Sequence, residues 1–163
     1  MDSIEEVNLR SFVEDTLGLC MERMRNHGVQ FSADPIDEKL AFQGRGTEIS
    51  QVLVNLLNNA DDAIGKLPEK WIKLSVQGNA EWLEILVTDS GNGIPPEFQK
   101  KLFQPFFTTK EIGKGTGLGL SISHGIVKNH GGELTIDSSS PNTCFLVRLP
   151  AHKLAKAKSK RVA

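Results

Sequence analysis

The chain has 163 residues, 39% of them hydrophobic, which suits a single domain with its own core. Its formal net charge is −1, but five of the 19 basic residues lie in the last thirteen, which leaves 14 basic and 20 acidic residues in 1–150. A body with this net charge of −6 does not attract phosphate ligands through its overall field, so any such ligand needs a local site.

Composition also excludes several protein classes. Cys20 and Cys144 lack metal-binding spacing and follow no secretory leader, which argues against a disulfide framework. No apolar run approaches the roughly 20 residues of a membrane span, so we expect a cytoplasmic chain without membrane contact. The basic tail, residues 151–163, is predicted to be disordered and solvated rather than a nucleic-acid-binding segment.

Periodicity and turn residues predict alternating helices and strands. In chain order they are a helix over Leu9–Arg25, strands over Val29–Ala33 and Leu40–Gln43, a helix ending near Ile64, a hairpin of strands Ile72–Val76 and Trp82–Thr88 around Gly78-Asn79, a helix ending near His130, and strands Glu133–Asp137 and Phe145–Leu149. The predicted fold class is α/β (α+β), a two-layer sandwich whose mixed sheet is covered on one face by helices.

The helix ending near Ile64 carries two distinct stripes. Its apolar stripe is formed by Ile49, Leu53, Leu56, Ala60 and Ile64, which predicts packing against a core. Gln51, Asn55 and Asn59 follow one another at intervals of four on the polar side. Asparagine is a poor helix former, and amide oxygens that bind a hard cation are one reason for it here; a solvated face is the alternative.

Two glycine-rich segments are candidate ligand sites. The strand over Trp82–Thr88 leads into Asp89-Ser-Gly91-Asn-Gly93, which places a carboxylate beside bare backbone, either as a simple turn or as an acceptor for a flat ring. The run Gly113–Leu120 contains four alternate glycines and precedes a helix, an arrangement that cradles phosphates with backbone amides.

Five ordered motifs resemble the ATP-binding domain shared by sensor histidine kinases, gyrase, Hsp90 and MutL, and above all the nitrogen-regulation type of sensor kinase. They are an N box at Gln51 to Ala60, a first glycine box at Asp89 to Ile94, an F box at Leu102 to Lys110, a second glycine box at Gly113 to Leu120, and Asn142-Thr143-Cys144-Phe145 in place of a terminal Gly-Thr box. The resemblance covers roughly residues 6 to 150, and we predict that 1–150 form an ATP-binding catalytic domain.

The resemblance implies a role for each motif in binding Mg-ATP. Asp89 would accept from the adenine amino group with support from Thr143, while Asn59 and Asn55 would hold Mg²⁺. A mobile lid from about Pro95 to Thr116 would close over the nucleotide. The complete predicted ATP-binding set is Asn55, Asn59, Asp62, Asp89, Gly91, Gly93, Ile94, Thr108, Thr109, Lys110, Lys114, Gly115, Thr116, Gly117, Leu118, Gly119, Leu120 and Thr143.

Asn55 and Lys110 are the predicted catalytic residues. ATPases of this superfamily carry a water-activating Glu where this chain has Asn55, and an amide cannot accept that proton. Many sensor kinases also carry a basic residue where this chain has Asp62, so the cation facing the phosphates is expected from the lid. The amide at Asn55 favours phosphotransfer over hydrolysis.

The phosphoacceptor histidine of such a kinase is not evident in this chain. None of His27, His124, His130 and His152 is followed by the acid that marks the acceptor helix, and His27 and His130 are predicted to flank helix ends. We therefore expect a monomeric domain that acts on a separate phosphoacceptor domain, followed by a response regulator. The alternatives are a regulatory module that binds ATP or ADP without transfer, and a gyrase- or MutL-type ATPase.

The sequence leaves two roles open for the aromatic residues Phe103, Phe106 and Phe107. They either pack the lid onto the core or dock on the histidine-bearing helix.

Overall fold

The computed structural model describes residues 3–107 and 118–152. Its elements are β1 (Glu5–Asn8), α1 (Leu9–Leu17), α2 (Met21–Asn26), β2 (Gln30–Ala33), β3 (Ala41–Gly44), α3 (Gly46–Ala63), β4 (Trp71–Gly78), β5 (Trp82–Asp89), α4 (Pro96–Gln99), α5 (Gly119–Asn129), β6 (Glu133–Ile136) and β7 (Cys144–Pro150). Residues 153–163 of the predicted tail and most of the second glycine box lie outside the described residues. The first two residues of that tail are described, and their N–H groups donate to the Glu81 carbonyl at 2.8 Å and the Ala41 carbonyl at 2.9 Å. None of the described helices is long and apolar enough to cross a membrane.

Five strands form the main sheet in the order β2-β4-β5-β7-β6, with β2 parallel to β4 and the remaining pairs antiparallel. Side chains alternate along β5, so that Leu83, Ile85, Val87 and Asp89 are buried while the residues between them are half-buried. The register pairs Thr88 with Cys144, which brings the end of β5 beside the start of β7. The mixed sheet with helices confirms the predicted fold class.

Helix α3 provides much of the core that covers the sheet. Its predicted apolar stripe is buried, with Leu53 and Leu56 at most 1% exposed. Truncating either leucine to alanine is expected to cost about 2–5 kcal/mol, because the surrounding core cannot fully collapse into the cavity. Asn55 and Asn59 lie outside this stripe and are half-buried.

The predicted helix over Leu9–Arg25 is wrong in its continuity. Helix α1 ends at Leu17, and α2 begins at Met21 after a turn in which Leu19 and Cys20 donate backbone hydrogen bonds to residues three positions earlier. Gly18 caps α1, which agrees with the low helix propensity of glycine. Cys20 and Met24 are buried after the break, so the apolar residues keep helical spacing across it. For this reason the sequence pattern does not show where α1 ends.

The sequence does not predict strand β1, because its four residues have no alternating apolar pattern and the first two are exposed. It pairs antiparallel with β3 in a separate two-stranded sheet that joins Val7 to Phe42. Asn8 then caps α1 by accepting a hydrogen bond from the Ser11 backbone at 3.0 Å.

Candidate nucleotide-binding site

Asp89 is the last residue of β5 and faces inward, with 2% of its surface exposed. The Gly91 backbone N–H donates to its Oδ1 at 2.7 Å, whereas Oδ2 accepts no hydrogen bond from any residue in 3–107 or 118–152. Burial raises the pKa of Asp89 to about 6, and the Gly91 hydrogen bond partly offsets this effect. The arrangement provides a desolvated acceptor suited to an N–H donor on a ligand.

The loop after Asp89 is tied to Thr143 by several hydrogen bonds. The Gly93 N–H donates to Thr143 Oγ1 at 3.0 Å, the Thr143 N–H donates to the Gly91 carbonyl at 3.2 Å, and Asn142 Nδ2 donates to the same carbonyl at 3.1 Å. These bonds use Thr143 Oγ1 as an acceptor and leave its hydroxyl hydrogen for a ligand or water. Asp89 and Thr143 thus lie together, as the sequence predicts.

The loop requires glycine at two positions, at Gly91 because there is no space for a side chain and at Gly93 because of its backbone conformation. A Cβ on Gly91 would lie 2.8 Å from Asp89 Oδ1 and 3.0 Å from Thr143 Oγ1, which is too close. Gly93 has φ +92°, a conformation that other residues rarely adopt. Ile94 follows as a partly buried residue packed on the core, and its carbonyl accepts from Gln99 Nε2 at 2.9 Å.

Asn55 and Asn59 are half-buried on successive turns of α3. Asn55 Nδ2 donates to Ser123 Oγ of α5 at 3.1 Å, so α5 orients the amide while its carbonyl oxygen remains as a ligand atom. Two amide oxygens on neighbouring turns suit Mg²⁺, which keeps several of its waters and needs few protein ligands. The residues present therefore fit the predicted metal.

Asp62 lies on the same helix, three residues after Asn59, but its carboxylate is engaged by a cation. Arg23 of α2 donates to Asp62 Oδ1 at 2.9 Å and approaches Asp61 Oδ2 at 3.3 Å. His27 Nδ1 lies 2.7 Å from that same Asp61 oxygen. The sequence does not predict the contact of Arg23, since no local pattern relates it to Asp62, which lies 39 residues later.

The start of α5 supplies the last described part of the predicted phosphate cradle. Leu118 is its N-cap, Gly119 begins the helix, and the Leu118 carbonyl accepts from Ser121 Oγ at 3.0 Å. Leu120 is partly buried against the core. Seven other predicted residues lie outside the described ranges: Thr108, Thr109, Lys110, Lys114, Gly115, Thr116 and Gly117.

The three F-box phenylalanines differ in their surroundings. Phe103 stacks on His124 of α5 at 5.1 Å, Phe107 packs against Phe98 at 5.8 Å, and Phe106 is 73% exposed with φ +66°. Phe103 and Phe107 therefore pack onto the domain, while Phe106 is presented to solvent.

Histidines 27 and 130 are the C-caps of α2 and α5, which confirms their predicted places at helix ends. His130 Nε2 accepts from the Arg45 N–H at 3.1 Å and Nδ1 contacts the Ile126 carbonyl at 2.8 Å. This pair of bonds requires a neutral ring with its hydrogen on Nδ1. His130 thereby joins the end of α5 to the N-cap of α3, a structural role.

Proteins of known family are similar to this chain in sequence and in fold. Residues 44–153 match the family model described as histidine kinase-, DNA gyrase B- and HSP90-like ATPase. The chain is 40% identical to the two-component sensor PprA of Pseudomonas aeruginosa, covering 88% of this chain and 16% of that protein. It is 35% identical to the sensory histidine kinase/phosphatase NtrB of Rhizobium leguminosarum, covering 90% of this chain and 41% of that protein. The chain thus spans less than half the length of either sensor protein.

Solved structures agree with these sequence matches. The catalytic domain of histidine kinase ThkA superposes with a TM-score of 0.81 and 34% identity, covering 91% of this chain and 95% of that one. ThkA in complex with the response regulator protein TrrA superposes with a TM-score of 0.77 and 31% identity, covering 90% of this chain and 41% of that one. The chain therefore belongs to the histidine kinase-, DNA gyrase B- and HSP90-like ATPase family, with sensor histidine kinases as its relatives.

Proposed function

We propose that this chain binds Mg-ATP and transfers the γ-phosphoryl group to a histidine on a separate phosphoacceptor domain of its parent protein. The observation that carries the proposal is the buried Asp89 carboxylate, whose Oδ2 is left for a ligand donor beside a glycine that cannot bear a side chain. A carboxylate accepts from the adenine amino group, whereas guanine presents a carbonyl at that position. Thr143 supports the same edge through its hydroxyl.

The phosphate end of the nucleotide is assigned to α3 and the start of α5. Asn55 and Asn59 would hold Mg²⁺, which would neutralise part of the charge on the phosphates. The backbone of Gly115, Gly117 and Gly119 would wrap the phosphates, and Lys110 or Lys114 would add a cation. Residues 1–150 are the proposed catalytic domain.

Asn55 favours transfer over hydrolysis. Its amide nitrogen donates to Ser123, and an amide has no basicity with which to deprotonate water. In the proposed reaction the acceptor imidazole attacks the γ-phosphorus, the bond to the β,γ-bridging oxygen breaks, and ADP leaves with that electron pair. The chain contributes alignment and charge stabilisation, and the acceptor domain contributes the nucleophile.

The proposed partners follow from the relatives. ThkA has been solved in complex with the response regulator protein TrrA, and PprA is a two-component sensor. We extend this to a phosphorelay in which the acceptor histidine passes its phosphoryl group to a response regulator. By itself the domain is expected to be a monomer that does not label itself.

The decisive experiment combines this chain with a separately produced phosphoacceptor domain of its parent and γ-labelled ATP. We expect acid-labile, alkali-stable label on the acceptor domain only, and its loss when Asp89→Asn replaces the wild-type chain. Measured ATP binding without any label on the acceptor would favour the regulatory module. Rapid phosphate release without labelling would favour the gyrase- or MutL-type ATPase.

A further inference from the structure

The side-chain amide of Gln99 connects three segments of the chain. Its Nε2 donates to the Ile94 carbonyl at 2.9 Å, and its Oε1 accepts from Ser138 Oγ at 3.2 Å. Gln99 is the last residue of α4, and Ile94 lies in the loop after Asp89. Ser138 lies between β6 and β7. Because different segments engage its donor and its acceptor, this half-buried amide has a fixed orientation.

The loop after Asp89 needs such contacts because it contains two glycines. Gly91 and Gly93 give its backbone more conformational freedom than other residues would. Thr143 holds this part of the loop, since its N–H donates to the Gly91 carbonyl and its Oγ1 accepts from the Gly93 N–H. Gln99 holds the next residue, Ile94. Two separate elements, β7 with the residue before it and α4, therefore fix the course of this loop.

Helix α4 itself depends on its contacts with other segments. It has four residues, Pro96–Gln99, and a helix this short has little stability of its own. The Phe98 ring packs against Phe107 at 5.8 Å, a contact that allows some sliding. A hydrogen bond is directional, so the Gln99 amide fixes α4 against Ile94 more strictly than the rings do.

We propose that Gln99 is a positioning residue for the adenine ring of the nucleotide, because its amide fixes Ile94 and the backbone of the loop after Asp89. The inference rests on the proposed function, in which adenine binds at Asp89 and the adjoining glycines. Gln99 acts through the Ile94 carbonyl and not by touching the nucleotide. Its loss should weaken the adenine end of the site and leave the phosphate end, at Asn55 and Asn59, unchanged.

Two substitutions at Gln99 separate the hydrogen bond from the packing of the side chain. Gln99→Met keeps the length but removes both polar groups, whereas Gln99→Glu keeps the size and the acceptor but turns an oxygen toward the Ile94 carbonyl. Both should weaken ATP and ADP binding about threefold to tenfold in calorimetry, as the loss of one hydrogen bond would. The ratio of ATP affinities with Mg²⁺ and with a chelator should stay within about twofold of wild type, since the metal lies at a separate part of the site.

Ser138→Ala tests whether the orientation of the amide matters. It removes the hydrogen bond to Gln99 Oε1 and leaves the bond to Ile94 free to form. ATP binding should weaken about twofold to threefold in an otherwise wild-type chain, and the same change should have no further effect beside Gln99→Met, because Ser138 acts through the amide.

Gln77→Met is the matched control. Gln77 is exposed and its Nε2 donates to Glu84 at 2.6 Å, near the hairpin end of β4 and β5 and away from Asp89. The same chemical change at this position should leave the affinities for ATP and ADP at their wild-type values.

Each outcome supports or overturns the proposal. Wild-type affinities in both Gln99 variants, with a lower free energy of urea unfolding, would assign Gln99 to the fold alone and overturn it. Wild-type binding by Gln99→Glu alone would overturn it too, since the size of the side chain and not its donor would then matter. A changed Mg²⁺ ratio would move the effect to the phosphate end, and an effect of Ser138→Ala that persists beside Gln99→Met would exclude the route through the amide.

Folding and the proposed function are checked separately. If Gln99→Met does not fold, Gln99→Glu and Ser138→Ala decide the question by the same criteria. A wild-type chain that binds neither ATP nor ADP would overturn the proposed function itself, whereas normal binding by wild type and by every variant would overturn only the role of Gln99.

Discussion

Replacing Asp89 by asparagine is expected to change how the stability of the ligand-free protein depends on pH. The ordinary pKa of this carboxyl is 3.8, and burial raises it to about 6 in the folded state. The folded protein therefore binds this proton more tightly than the unfolded chain. As the pH rises from about 3.8 to about 6, the unfolded chain gains relative stability and the free energy of unfolding falls.

The magnitude follows from the two pKa values. At about 1.4 kcal/mol for each pH unit, the interval between 3.8 and about 6 corresponds to about 3 kcal/mol, most of it lost between pH 4 and 7.5. Asparagine retains an oxygen that accepts from Gly91 but does not ionise, so this part of the pH dependence should vanish. Its buried NH₂ adds a cost that does not vary with pH, about 1–3 kcal/mol if unpaired.

Urea unfolding at several pH values measures the effect. The free energy of unfolding of wild type minus that of Asp89→Asn should fall by about 2 to 3 kcal/mol between pH 4 and pH 7.5, since other titrating groups cancel in the difference. Thr143→Val is the control, because it alters the same pocket but keeps the carboxylate. A wild-type curve parallel to that of Asp89→Asn across this range would refute the reasoning.

Three further substitutions test other parts of the site. Asn59→Ala should abolish the Mg²⁺ dependence of ATP affinity while the far-UV circular dichroism is unchanged; dependence at the wild-type level would move the metal elsewhere. Gly91→Ala should displace the Asp89 carboxylate and weaken ATP binding by about 1–3 kcal/mol in calorimetry, and an unaltered dissociation constant would mean that the loop yields to the added Cβ. His130→Phe should lower the free energy of urea unfolding by about 1–3 kcal/mol, because the Arg45 N–H loses its acceptor, and full stability would show that this bond contributes nothing.

The sequence carried enough local information to predict the arrangement of Asp89 and its glycines, where we propose that adenine binds. The strand over Trp82–Thr88 with Asp89, Gly91 and Gly93 after it predicted a carboxylate beside bare backbone, and the structure has this arrangement. The stripes of α3 were equally local, because helical periodicity alone separates the buried leucines from Asn55 and Asn59.

The interactions that cross between elements could not be predicted in this way. Arg23 meets Asp62 across 39 residues, and Asn55 meets Ser123 across 68, so no periodicity or turn rule relates the partners. Strand β1 depends on pairing with β3, and its own residues have no alternating apolar pattern. Hydrophobic periodicity reports which face is buried, and it does not report which side chain of a distant element lies opposite.

The residues assigned to the nucleotide weaken the empty domain. An ionised Asp89 costs free energy because it is buried with one oxygen unsatisfied by the described residues, and Asn55 and Asn59 occupy helix positions where better helix formers exist. Gly93 adds backbone entropy to the unfolded chain. A fold selected for stability alone would replace these residues, whereas an amino group at Asp89 and a cation at the two asparagines would recover part of each cost. Ligand binding should therefore stabilise this domain by more than its contact area implies, and the asparagine substitution at Asp89 should shrink that gain even where it stabilises the ligand-free protein.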